Sequence, residues 1–237
     1  MKIAAAQLSC APADVPANVG RVAALAGQAR EQGAELVVFP ELVLTGYELE
    51  AIRADPGLWL DADDARLDPV RAAGVATVVN CAVRTDGPRP ALTTLVHDAS
   101  GALVTSYAKQ HLYEQERDVF AAGDRDGRFE LGGVRFSLAT CFDNHFPELC
   151  ARGAADGCRV HLASSLYGTG DGIRERAAVY PALAAGLGMY VVLANHVGPA
   201  GPWTGCGGAA LWGPDGLPLA EADGTTASVV VAEVAAA

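Results

Sequence analysis

The chain has 237 residues, 51% apolar and 19% charged, with 28 acidic against 17 basic side chains and a formal net charge of −11. That length can bury one large core or two small ones. The acidic balance, with no cluster of Lys and Arg able to track phosphates, argues against a nucleic-acid partner and an anionic membrane surface. The six cysteines are Cys10, Cys81, Cys141, Cys150, Cys158 and Cys206; they form no C-x-x-C pair and no zinc-finger spacing. The apolar part of "MKIAAAQLSC" is too short for a signal peptide, so reduced thiols and a cytoplasmic location are expected.

In chain order, 2–8 is a short apolar strand. Asp14 and Pro16 then open a helix whose Val19, Val22, Ala23, Ala26 and Ala29 recur at intervals of three and four, with Gly33 just beyond its end. The run "ELVVFP" (35–40) is a strand covered on both faces, and a weaker helical stretch follows at 64–73. Strands are expected at 75–84, 91–98 and 102–108, separated by "DGPRP" and "DASG" turns. A hairpin turns at Gly132-Gly133. Helices at 146–156 and 173–186 alternate with strands at 159–164 and 189–195, and three strands joined by "GPDG" and "ADGT" close the chain.

The uncharged run from Ala177 to Ala194 approaches membrane-span length. Pro181, Gly186 and Gly188 interrupt it, and β-branched residues fall only in its second half. It therefore reads as a helix ending near Gly186 and a buried strand from Met189, with no membrane partner. No linker or repeat divides the chain, so 1–237 is expected to be a single domain. Crossovers mixed with hairpins fit a layered α/β sandwich better than a doubly wound sheet.

Three polar residues stand where apolar strand runs end: Glu41 in "VVFPELVLTGY", Lys109 in "TSYAKQHL" and Cys141 in "SLATCFD". Sites in α/β sheets gather at strand ends, and such a set could supply a base, an oxyanion donor and a nucleophile. Taken singly, each has a plainer reading. Glu41 could face solvent or cap a helix, Lys109 could end a strand at the surface, and Cys141 could be a small buried hydrophobe.

Together the blocks "FPELVLTGY", "YAKQHL" and "CFDNHFPE" resemble, in order and spacing, the three signature blocks of the nitrilase superfamily of carbon–nitrogen hydrolases. The resemblance runs from Met1 to about Val234. It implies a four-layer αββα sandwich, a Glu41–Lys109–Cys141 triad without metal or organic cofactor, and a homodimer. In that scheme Glu41 takes the thiol proton, Cys141 attacks the amide carbon, and Lys109 with the Phe142 N–H stabilises the oxyanion. The second glutamate that many members carry after the lysine corresponds to Glu116, seven residues before Gly123, with Glu114 as the competing assignment. Its role would be to orient Lys109.

The chain also departs from the family pattern. His145 stands where Arg is common, after Asn144, and both could face the substrate; equally, His145 could pack on the helix start. Region 50–75 looks shortened, and the sequence stops soon after its final strand, which leaves the geometry of a dimer open. "YGTGDGI" does not match the dinucleotide fingerprint; it is expected to form a loop at the pocket rim with Tyr167 as a wall, and Tyr47 could line the pocket or belong to the core. Phe142-Asp143 after the cysteine, rather than the Trp-Glu of true nitrilases, points to the amidase-like branches. The expected substrate is a small-molecule amide, ω-amide or N-carbamoyl amine. The alternatives are a nitrile, or a thiol that senses without turnover.

Overall fold

The computed structural model describes residues 1–235. Thirteen strands run in chain order: β1 (Lys2–Leu8), β2 (Leu36–Val38), β3 (Ala76–Val83), β4 (Ala91–His97), β5 (Leu103–Ala108), β6 (Gly127–Leu131), β7 (Val134–Thr140), β8 (Val160–Ser165), β9 (Tyr190–Ala200), β10 (Trp203–Cys206), β11 (Ala210–Trp212), β12 (Pro218–Glu221) and β13 (Ser228–Glu233). The helices are α1 (Val15–Glu31), α2 (Leu49–Ala54), α3 (Asp68–Arg71), α4 (Glu116–Val119), α5 (Pro147–Ala155) and α6 (Asp171–Leu187).

The strand path β5-β4-β3-β2-β1-β9-β8-β7-β6 has two halves, joined where Gln7 and Leu8 of β1 run beside Asn195 and His196 of β9. β13 adds to the first half against β1, and β11 with β12 to the second against β9. Side-chain alternation along the strands then sorts the core into layers. Ala4, Ala6 and Leu8 of β1 pack under Val19, Val22 and Ala26 of α1. On the other face of the same half, Ile3, Ala5, Leu36 and Val38 join a core with Phe136, Leu138, Leu162, Val192 and Ala194 of the second half. The far face of that half, Ala163, Val191 and Leu193, is covered by Cys150 of α5 and by Tyr180, Leu183 and Ala184 of α6. Helix, sheet, sheet and helix are thus stacked in four layers, as the αββα expectation has it.

Local chemistry explains the elements. Asp14 caps α1 by accepting from the Ala17 N–H at 3.0 Å, with Pro16 in the first turn. Gly132 and Gly133 both take positive φ, 57° and 76°, which a two-residue hairpin turn requires. The uncharged run resolves into α6, stopped by Gly188 in the left-handed region, and then β9. No described helix is long and apolar enough to cross a membrane.

Some expectations need correction. β9 continues to Ala200 instead of ending at 195, because Val197–Ala200 pairs with β10, a strand that the sequence pattern did not reveal. The helical stretch at 64–73 is a 3-10 turn (Ala65–Leu67) followed by the single turn of α3. The helices α2 and α4 are too short for a periodicity to show.

Candidate active site

Three strand ends meet at one cavity of about 500 Å³, with the end of a fourth directly behind its wall. Lys109 directly follows β5 and Cys141 directly follows β7, while Glu41 lies just beyond β2 and Tyr167 just beyond β8. Glu41, Lys109 and Glu116 are fully buried.

Lys109 Nζ donates to Glu41 Oε1 at 2.7 Å and to Glu116 Oε1 at 2.9 Å. Glu116 also accepts from the Tyr47 hydroxyl at 2.7 Å and the Tyr113 N–H at 2.8 Å. Burial acts to lower the Lys109 pKa, but the two carboxylates outweigh it and hold the ammonium charged. For Glu41 the balance goes the other way. Burial lifts its carboxyl to about 7, with the negative charge of Glu116 adding to the rise and Lys109 opposing it. Its second oxygen, Oε2, has no hydrogen-bond partner among the described residues.

The backbone that carries Glu41 is tightly held. Leu42 takes a φ of +48°, its N–H donating to Asn80 Oδ1 at 2.7 Å, and the Val43 N–H meets the Asn80 carbonyl at 3.0 Å. His196 Nε2 lies 2.5 Å from the Glu41 carbonyl oxygen. Burial depresses the His196 pKa to about 4, so the ring is neutral and donates this bond through Nε2–H.

Cys141 opens a 3-10 turn, Cys141–His145, with a φ of +46° that a non-glycine residue adopts only when its surroundings force it. Asp143 braces this turn. Its carboxylate accepts from the Thr140 N–H at 3.0 Å, the Tyr107 hydroxyl at 2.7 Å and the His111 N–H at 2.8 Å. Phe142, second in the turn, has no carbonyl within it for its N–H to meet. Burial and the nearby Glu41 charge raise the Cys141 thiol well above its ordinary value, so it remains an S–H until a base takes the proton.

Tyr47, Phe142, His145 and Tyr167 line the cavity together with Glu41, Glu116 and Cys141. His145 Nε2 reaches the Tyr167 hydroxyl at 3.2 Å and does not simply pack on the helix start. Asn144 is a correction: its side chain turns inward, donating to the Cys141 carbonyl at 3.0 Å and contacting His161 Nε2 at 2.8 Å, and it does not line the cavity. Glu114 is exposed while Glu116 is buried at the lysine. Among the described residues no group of three or more His, Cys, Asp or Glu could hold a metal ion.

The sequence profile of the carbon–nitrogen hydrolase family matches residues 2–237. The chain belongs to the carbon–nitrogen hydrolase family. A protein named nitrilase from Pyrococcus abyssi is 29% identical over 99% of this chain and 89% of its own length. An (R)-stereoselective amidase from Pseudomonas sp. is 31% identical over 84% of this chain and 72% of its own. Among solved structures, an amidase from Nesterenkonia sp. AN1, in a glutamate-to-glutamine mutant showing Michael addition of acrylamide at the active site cysteine, superposes with a TM-score of 0.91 at 30% identity. It covers 100% of this chain and 94% of that one. This carbon–nitrogen hydrolase is thus an amidase-like member of the nitrilase superfamily, hydrolysing amide bonds through an active-site cysteine.

Several residues of the site escaped sequence reasoning. Asp143 lies inside a quoted block, yet only its three-dimensional donors reveal its part in the turn. Asn80 and His196 support Glu41 from strands distant in sequence. Tyr113, Glu175 and Trp203 also line the cavity, and nothing local in the sequence distinguishes them from surface residues.

Proposed function

We propose that the chain hydrolyses the C–N bond of a small aliphatic amide, ω-amide or N-carbamoyl amine through a thioester on Cys141, with Glu41 as base and Lys109 as oxyanion donor. The observation that carries this reading is the buried Lys109 ammonium, bound to Glu41 and Glu116, two carboxylates that line one cavity with Cys141.

Glu41 takes the S–H proton while sulfur bonds to the amide carbon, and the carbonyl electron pair moves to oxygen. Lys109 and the Phe142 N–H stabilise that oxyanion, an effect worth about 3 kcal/mol per preorganised donor. When the pair returns, the C–N bond breaks and Glu41 delivers its proton to the departing nitrogen. A water molecule then gives a proton to Glu41 and attacks the thioester, and the thiol leaves reprotonated. Glu116 orients Lys109. Tyr47 supports this through its bond to Glu116, while Tyr167 and His145 bound the acyl side.

The test is ammonia release from a panel of simple amides, ω-amides and carbamoyl amines, with Cys141→Ala alongside. Sustained release that the variant loses supports the proposal; a single stoichiometric reaction with the thiol and no turnover overturns it in favour of a sensing role. The resemblance of the Pyrococcus abyssi relative makes nitrile hydrolysis the second reading, favoured if acid forms from nitriles and not from amides. On family resemblance the proposal extends to a single-domain, cytoplasmic homodimer, and sedimentation of the purified protein reads the assembly.

A further inference from the structure

The charged side chains lining the cavity are all acidic: Glu41, Glu116, Asp171 and Glu175. No lysine or arginine is among the lining residues. Lys109, behind the wall, is committed to Glu41 and Glu116, one positive charge against two negative. At the rim Asp171 is paired with Arg174, whereas Glu175 has no ion-pair partner among the described residues. Arg176, the next basic residue along α6, turns away to the Gly208 carbonyl and Glu221.

Glu175 is exposed on α6 and lines the cavity with Tyr113 and Tyr167. Burial first, and the charge of Glu175 among the further causes, raises both phenols. Aromatic faces beside an unpaired carboxylate suit a cation, through ring quadrupoles as well as Coulomb attraction. At the inner end of the same cavity the buried Glu41 Oε2, without a hydrogen-bond partner among the described residues, stands beside Cys141, so the amide end of a substrate belongs there and its other end at the rim.

We propose that Glu175 is the specificity-determining residue of this pocket and that it selects amides carrying a remote primary ammonium over those carrying a carboxylate. The inference rests on the amidase reading above and narrows its substrate class. A carboxylate-terminated ω-amide would meet the unpaired Glu175, with no lysine or arginine among the described lining residues to receive it. An ammonium-terminated one would have its amide at Cys141 and its charge at Glu175. Glu175 is a binding residue, so its effect falls on KM, and ionic strength screens it.

The experiment compares, at equal chain length, a neutral amide, its ω-amino analogue and its ω-carboxylate analogue, with four, five and six carbons. Glu175→Gln and Glu175→Lys are measured beside wild type. Wild type is expected to favour the ammonium compound over the carboxylate by about tenfold in kcat/KM at low salt, the size of a single partly solvated charge interaction and its reversal. Glu175→Gln removes most of that ratio through KM, and Glu175→Lys inverts it. The chain length at which the preference peaks reports the span from thiol to carboxylate.

A parallel measurement needs no turnover. Cys141 is labelled with ammonium-bearing and sulfonate-bearing methanethiosulfonates, and the modified peptide is identified by mass. Faster labelling by the cationic reagent, lost in Glu175→Gln, supports the assignment even if no amide in the panel is hydrolysed, in which case only the amidase reading falls. Equal labelling rates that Glu175→Gln leaves equal, or a carboxylate preference in turnover, overturn it while leaving the amidase reading intact.

Discussion

The floor and the rim of the cavity use the same kind of residue for different ends. At the floor Lys109, Glu116 and Asp143 are fully buried, and each meets at least two partners. At the rim Glu175 and Trp203 are exposed, and Glu175 is unpaired among the described residues. Two unit charges about 4 Å apart interact with roughly 1 kcal/mol in water but about 4 kcal/mol at the effective dielectric of a protein site. Depth therefore decides what a glutamate can do: Glu41 and Glu116 have their direction fixed by buried partners, while Glu175 can only bias what arrives.

The largest effects are expected at the floor. Cys141→Ala removes the nucleophile and is expected to lower ammonia release on the order of 10⁴-fold or more. The loss of one sulfur should leave unfolding free energy within about 1 kcal/mol of wild type. Lys109→Met breaks the buried cluster and leaves two carboxylates facing each other. Urea denaturation is expected to show a loss of about 3–5 kcal/mol, against about 0.5 kcal/mol or less for the rim substitution Glu175→Lys. Similar losses at the two sites would erase the distinction between floor and rim.

The protonation of Glu41 sharpens the comparison further. As the base it must be ionised, so kcat/KM is expected to fall about tenfold for each pH unit below about 7. Stability has the opposite sign. With a folded-state pKa raised from 4.5 to about 7, the native state holds a proton that the unfolded chain has released. The contribution of Glu41 to stability is therefore full below pH 4.5 and is lost as pH rises through about 7. Glu41→Gln should abolish turnover and remove this slope from the difference curve. A wild-type rate that stays flat from pH 5 to 8 would show that Glu41 does not titrate as the burial argument requires.

The fold was legible where periodicity was long. The residues that open and close α1, the glycine pair of the β6–β7 hairpin and the split of 177–194 into helix and strand follow from side-chain pattern and backbone chemistry. The short elements α2, α4 and β10 give no periodicity and went unseen, and β10 pairs with β9 at an edge that no local pattern announces. Glu41, Lys109 and Cys141 were legible because each ends an apolar strand within a familiar block, and the buried lysine contact then separates Glu116 from Glu114. Asn144 misled, because adjacence to Cys141 in the chain says nothing about which way a 3-10 turn aims each side chain. Its amide reaches His161, which is in turn bound to Ser137, a network that runs into the core. Asn80, His196 and Glu175 owe their positions to sheet register and to the path of α6, which no local window contains.

The smallest expected effect tests where the rim ends. Trp203 begins β10, remains 48% exposed and lines the cavity. An indole so placed contributes wall area to a bound acyl chain but little to the core. Trp203→Ala is therefore expected to raise KM a few-fold, with unfolding free energy changed by about 0.5 kcal/mol or less. The pairing of β10 with β9 is made by backbone groups from Trp203 to Cys206 and survives the truncation. The Thr169 N–H also meets the Thr204 carbonyl at 2.8 Å, so the strand is tied to the loop after β8 without the indole. A stability loss near 2 kcal/mol would mean that the ring braces this loop. The boundary between floor and rim would then run outside Trp203, leaving the Asp171–Glu175 turn of α6 as the part of the wall that is free to select.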